Sequence, residues 1–156
     1  LIDERGQVSM LIFEVTGEKD SRTLLTKYAQ HQLCAFCSDA EDYGRGLPHP
    51  AAYGAFARIL SRFVREDGSL TIEEAIRKMT SYPAKIFGLN NRGVIRAGAY
   101  ADLVLLAPKQ VIDRAEYNAP RRMPVGIKYS IVNGQIAYER DQWKNTESGV
   151  ILRREA

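Results

Sequence analysis

The sequence predicts an α/β chain, helical to about residue 89 and β-rich beyond it. Three observations carry this reading. Apolar residues recur at helical spacing from Tyr53 to Val64 and again after Thr71-Ile-Glu-Glu74. The apolar run Leu33-Cys-Ala-Phe-Cys37 has the length of a buried strand, and beyond Asn90 short apolar runs alternate on either side of Asn133-Gly134.

Composition narrows the function classes. A chain of 156 residues with 45% hydrophobic content suggests one domain that buries a core. The 22 basic and 19 acidic residues are interleaved, a poor footprint for nucleic acid. Uncharged apolar runs such as Leu103 to Ala107 are too short to span a bilayer, and the first residues carry no secretory signal, so a cytoplasmic protein is expected. Two cysteines exclude a disulfide scaffold. The opening Leu1-Ile-Asp-Glu-Arg5 does not look like a natural N-terminus, and a fragment is expected.

The elements follow in order. Asp20 or Ser21 is placed to cap a helix whose Leu24, Leu25, Tyr28 and Ala29 share a face. A strand is expected over residues 33–38, ending at Ser38-Asp39-Ala40, and then a loop through Gly44, Gly46, Pro48 and Pro50. In a helix over 51–66 the apolar Tyr53, Phe56, Leu60, Phe63 and Val64 recur at three- and four-residue intervals. Its Arg58, Arg62 and Arg65 share another face, expected to be solvated. Thr71 and Glu74 form a capping box for helical structure over 72–88, with Pro83 and Gly88 marking a second short helical turn. Residues 102–106 and 126–132 read as strands; Asn133-Gly134 is a two-residue hairpin turn, and Gln135 to Tyr138 is the return strand. Val150 to Leu152 is expected to add an edge strand.

Asp39 is the foremost candidate for chemistry, because a carboxylate follows a buried strand directly. In β/α barrels the catalytic groups sit at such strand ends. Position alone also suits an Asp that caps a turn through its own side chain. His49, held between Pro48 and Pro50, sits in a stiffened loop but reads equally as a structural or solvated histidine. His31, at a helix end, reads as structural. Cys34 and Cys37 point to opposite faces of the expected strand and lack a second ligand pair, so they read as buried structural thiols. Gly44-Arg-Gly46 lacks the strand-to-helix context of a nucleotide fingerprint.

Several ordered segments carry a family resemblance. Ser38-Asp39, Leu47-Pro-His-Pro50, Tyr53-Gly-Ala-Phe56 and Ile59-Leu60 resemble the last barrel strand and following helix of N-acyl-D-amino-acid deacylases (D-aminoacylases), in the amidohydrolase superfamily. Thr71 to Ser81, Pro83-Ala84 and Phe87-Gly-Leu89 are similar to that family's last barrel helix. Gly93 to Val104, Gly126-Ile and Val132-Asn-Gly134 resemble marks shared by amidohydrolases generally.

The resemblance implies the C-terminal part of a metal-dependent β/α (TIM) barrel, residues 1–89, plus strands of a small β-sandwich side domain, residues 90–156. A full barrel takes about 250 residues, so the remainder of the barrel would be a missing N-terminal segment. That segment would carry the main metal ligands, since His31, Cys34 and Cys37 do not match the family's positions. The implied cofactor is zinc, one or two ions, which lowers the pKa of bound water to about 7. The implied reaction is hydrolysis of a small-molecule N-acyl-D-amino acid to a carboxylate and a free D-amino acid. Asp39 matches the family's catalytic aspartate, the proton shuttle for the metal-activated water, with metal contact as an additional role.

One departure bears on substrate. The family usually reads His-Pro-Arg where this chain has His49-Pro50-Ala51, and a methyl group does not replace an Arg fork on a carboxylate. Arg45 and His49 are the remaining candidates for substrate binding. The isolated chain is expected to be inactive. Two alternatives stand beside the deacylase: a cyclic-amide hydrolase of the dihydroorotase or hydantoinase type, and a non-catalytic barrel fragment acting as an interaction module, with homo-oligomers formed through exposed strand edges.

Overall fold

The computed structural model describes residues 21–144 and 147–153. Among the described residues four α-helices precede a small antiparallel sheet: α1 (Ser21–Gln30), α2 (Ala51–Arg58), α3 (Ile72–Met79), α4 (Ser81–Phe87), β1 (Leu103–Leu106), β2 (Ile127–Val132), β3 (Gln135–Glu139) and β4 (Gln142–Trp143). The cap expected at Asp20 lies outside the described residues.

Helix α2 begins at the expected Ala51 but changes character. Residues Ile59–Glu66 continue it as a π-helix, and the Asp67 N–H reaches the Arg62 carbonyl, five residues back, at 2.8 Å. The wider turn still buries Ile59 and Leu60. The expected helical span 72–88 is two helices. Thr71 caps α3 as the capping box requires, its Oγ1 accepting from the Glu74 N–H at 3.2 Å. Continuous helix would need a Pro83 N–H for the Met79 carbonyl, and proline has none, so the chain breaks at Thr80 (φ −131°, ψ −87°). Gly88 closes α4 at φ 68°.

The strand expected over 33–38 is absent. Residues 34–38 are irregular, bonded at Phe36 N–H to the Lys78 carbonyl at 3.0 Å. A parallel strand is defined by its ladder, and no strand flanks this segment among the described residues. For the same reason no barrel ladder is present there. Cys37 is exposed and Cys34 only half-buried, which corrects the expectation of two buried thiols: without a sheet, no layer covers the second face.

The sheet has strand order β1-β2-β3-β4. The β2–β3 hairpin turns at Asn133 (φ 49°) and Gly134 (φ 81°), as Asn-Gly predicts. Strand β4 returns through Arg140 (φ 44°) and Asp141 (φ 69°), a turn whose residue types gave no sequence signal. Val150–Leu152 forms no strand.

Helices and the β-rich half share one core. Ala57, Leu60 and Ala75 pack with Val111, and Leu106 and Ile127 lie against them. The arginine face of α2 and its π-helical continuation helps to hold the halves together instead of being wholly solvated. Arg58 donates to Asp113 and to the Ala115 carbonyl, and Arg65 donates to the carbonyls of Pro108 and Val111. Gly126, at φ 87°, lets the backbone of Val111 come where a Cβ would lie 2.6 Å from its nitrogen. That superfamily mark is therefore structural. Ile95 remains 91% exposed and Leu33 70%, apolar surface of the kind that marks packing faces.

A candidate active-site loop between Asp39 and His49

Asp39 ends the irregular segment in the left-handed region, at φ 45°, a conformation that Asp tolerates better than most side chains. It is exposed, and among the described residues its carboxylate makes no hydrogen bond or ion pair. A backbone held this way stores strain, and an unpartnered carboxylate is free to meet a ligand.

Three residues on, Asp42 is the opposite case. Its Oδ1 accepts from the Gly44 N–H at 2.8 Å and from Arg121 Nη2 at 2.9 Å; its Oδ2 accepts from Arg121 Nε at 2.7 Å and from the Tyr53 hydroxyl at 2.8 Å. Four donors saturate the carboxylate. The Arg121 fork above all, then the Tyr53 hydroxyl and the Gly44 N–H, hold its carboxyl well below the usual range. The same contact pushes the Tyr53 phenol up. Arg121 Nη1 also donates to the Gly46 carbonyl at 3.0 Å. Arg121 thus spans the loop crest, where Arg45 lies exposed between Gly44 and Gly46.

His49 closes the loop at the start of α2. Its Nδ1 accepts from the Ala51 N–H at 3.1 Å, which leaves the proton of the neutral ring on Nε2. Nε2 faces the Tyr117 hydroxyl at 3.5 Å, with the rings edge to face. The His49 lone pair is spent on a helix N–H that Pro50, at the N-cap, cannot satisfy. Asp39 is hydrogen-bonded to neither His49 nor Arg45.

Two clefts flank this region. One, of 390 Å³, is lined by Cys34, Phe36, His49 and Tyr117 among others; the second, of 410 Å³, by Ser38, Ala52, Tyr53 and Phe56. Ala51 lines both. Among the described residues no three His, Cys, Asp or Glu side chains converge to hold a metal, so these residues alone do not complete a metal site.

Sequence reasoning missed Asp42, Tyr53 and Arg121. Asp42-Tyr43-Gly44 carries a turn signature that points to Asp42, but Arg121 is 79 residues away and nothing local announces it.

The sequence profile of the amidohydrolase family matches residues 22–138. An N-acyl-D-glutamate deacylase from Alcaligenes xylosoxydans xylosoxydans is 41% identical over 127 residues, 81% of this chain and 26% of the relative. Among solved structures, the N-acyl-D-glutamate deacylase of Bordetella bronchiseptica, complexed with zinc and a phosphonate inhibitor, is 39% identical with a TM-score of 0.70, over 73% of this chain and 24% of that one. A D-aminoacylase is 35% identical with a TM-score of 0.71, over 74% and 24%. The chain spans about a quarter of the length of these relatives. They bear out the resemblance to N-acyl-D-amino-acid deacylases, and with three-quarters of its residues inside the profile the chain belongs to the amidohydrolase family.

Proposed function

We propose that this chain is the segment of a metal-dependent amidohydrolase that presents Asp39 to the scissile amide of an N-acyl-D-amino acid. The observation that carries the reading is the contrast within one loop: Asp42 is saturated by four donors, whereas Asp39 is exposed and without a partner among the described residues. A free carboxylate is what proton transfer requires. One Asp39 oxygen takes a proton from the attacking water as its oxygen bonds to the acyl carbon. The same group returns that proton to the amide nitrogen as the C–N bond breaks, leaving a carboxylate and a free D-amino acid.

The relative from Bordetella bronchiseptica binds zinc. A divalent ion supplies Lewis acidity at the water and the carbonyl. In this chain Asp39 is one candidate ligand, and the remaining ligands would come from outside the described residues. Ala51, in place of the family's arginine, moves recognition of the substrate carboxylate to other groups, of which Arg45 is the nearest in sequence. Unchanged substrate preference in Arg45→Ala would remove it.

The test is made in the full-length protein. Asp39→Asn is expected to lower turnover of N-acyl-D-amino acids by a factor on the order of 100 or more while metal content is retained. A panel that includes N-acyl-L-amino acids and a cyclic amide fixes the substrate class. Normal turnover in Asp39→Asn, or activity confined to the cyclic amide, would overturn the reading.

A further inference from the structure

The loop between Asp39 and His49 is gripped at two points by one short turn from the β-rich half. Glu116 and Ala119 pair across this turn, with the Ala119 N–H donating to the Glu116 carbonyl at 3.0 Å, and Pro120 behind it is fully buried. The turn is therefore a rigid support. From it Tyr117 meets His49 at the loop's far end, and Arg121 forks onto Asp42 while its third nitrogen holds the Gly46 carbonyl. The loop itself is rich in glycine and exposed from Tyr43 to Leu47, with little packing of its own to order it.

We propose that Arg121 is a positioning residue for substrate binding: it holds the Asp42–Gly46 loop in its binding-ready shape from the β-rich half of the chain. The proposal rests on the reading of Asp39 and its loop as the active site. It acts through entropy. A loop ordered in advance adds no ordering cost when substrate arrives, whereas a released loop must be fixed at that moment. The cost falls on binding and not on the proton transfer at Asp39. Lysine does not replace the arginine, because an ammonium carries one charge point and cannot span both Asp42 oxygens and a carbonyl.

The experiment measures KM, kcat and amide hydrogen exchange in full-length wild type, Arg121→Ala and Arg121→Lys. The expected result is faster exchange at residues 43–47 in both variants, unchanged exchange in α3, and KM raised on the order of tenfold with kcat within about threefold of wild type. Arg121→Lys is expected to fall between the other two, and it carries the test if Arg121→Ala does not fold. Unchanged loop exchange overturns the proposal, as does unchanged KM or a loss confined to kcat. If wild type hydrolyses no N-acyl amino acid, the functional reading has failed, and the clamp is then judged on exchange alone, where an unchanged loop overturns it.

Discussion

Arg58 Nε donates to Asp113 Oδ2 at 2.6 Å directly against Gly54, so that a helix residue without a side chain makes room for an ion pair between the two halves of the chain. A Cβ on Gly54 would stand 1.9 Å from Asp113 Oδ1. That oxygen is not free to move aside, because it also accepts from the Ala115 N–H at 2.8 Å and its side chain is only 5% exposed.

Gly54→Ala is therefore expected to destabilise the full-length protein by about 1–3 kcal/mol, the usual range for overpacking. Asp113→Ala removes the obstacle, so the double variant should lose clearly less than the sum of the two single losses. Urea midpoints of the four proteins measure this. Strictly additive losses would show that Gly54 and Asp113 do not meet.

This contact marks the border of what the sequence makes legible. The Thr71 cap, the Gly88 stop and the Asn133-Gly134 hairpin are local: each depends on neighbours within a few residues, and each is found where its residue types place it. Arg58 and Arg65 share a helix face that looks merely solvated, because the segment 108–115 that receives them lies more than forty residues away. The run at Leu33–Cys37 has strand composition, yet a strand exists only with a partner to bond it. The candidate site divides in the same way. Asp39 is reached through the motif around it. The saturation of Asp42, which sets Asp39 apart, depends on an arginine that no local pattern connects to it.

Lys78 offers a second test. Its side chain is completely buried at the end of α3, and its ammonium donates to the carbonyls of His31 and, at 3.1 Å, Cys34, with the Glu74 carboxylate 3.7 Å away. It thereby ties the end of α1 to the segment leading to Asp39. Lys78→Met keeps the volume but takes the ammonium from both carbonyls; that of His31 still accepts from the Cys34 N–H at 3.0 Å, that of Cys34 loses its donor, and a loss of about 1–3 kcal/mol is expected. Glu74 is not orphaned, since Arg77 donates to both of its oxygens at 2.7 and 2.9 Å. Lys78→Ala adds a cavity and should cost about 3–5 kcal/mol, as for other breakages of buried ionic contacts. Chemical denaturation of both variants checks the order. A Met variant as stable as wild type would mean that burying the ammonium offsets all it gains from its acceptors.

The last test concerns pH, and its sign follows from two shifts in one network. The Arg121 fork holds the Asp42 carboxyl below its ordinary value. Folding therefore weakens proton binding at Asp42, and the stabilisation is complete above the unfolded carboxylate value of about 3.9 and erodes only as pH falls below it. Tyr53 is raised because its hydroxyl donates to Asp42, so its contribution is complete below about 10 and is lost as pH climbs through the raised value. Between about pH 5 and about pH 9 neither group titrates, and the clamp should hold unchanged. Exchange at Gly44, corrected for the intrinsic effect of pH, is expected to show constant protection across that window. Asp42→Asn, which gives up the charge at every pH, should show reduced protection throughout. A loss of protection in wild type between about pH 7 and about pH 5 would mean that a group other than Asp42 governs the loop. Constant protection would place the origin of any pH dependence of turnover in that window outside the Arg121 clamp.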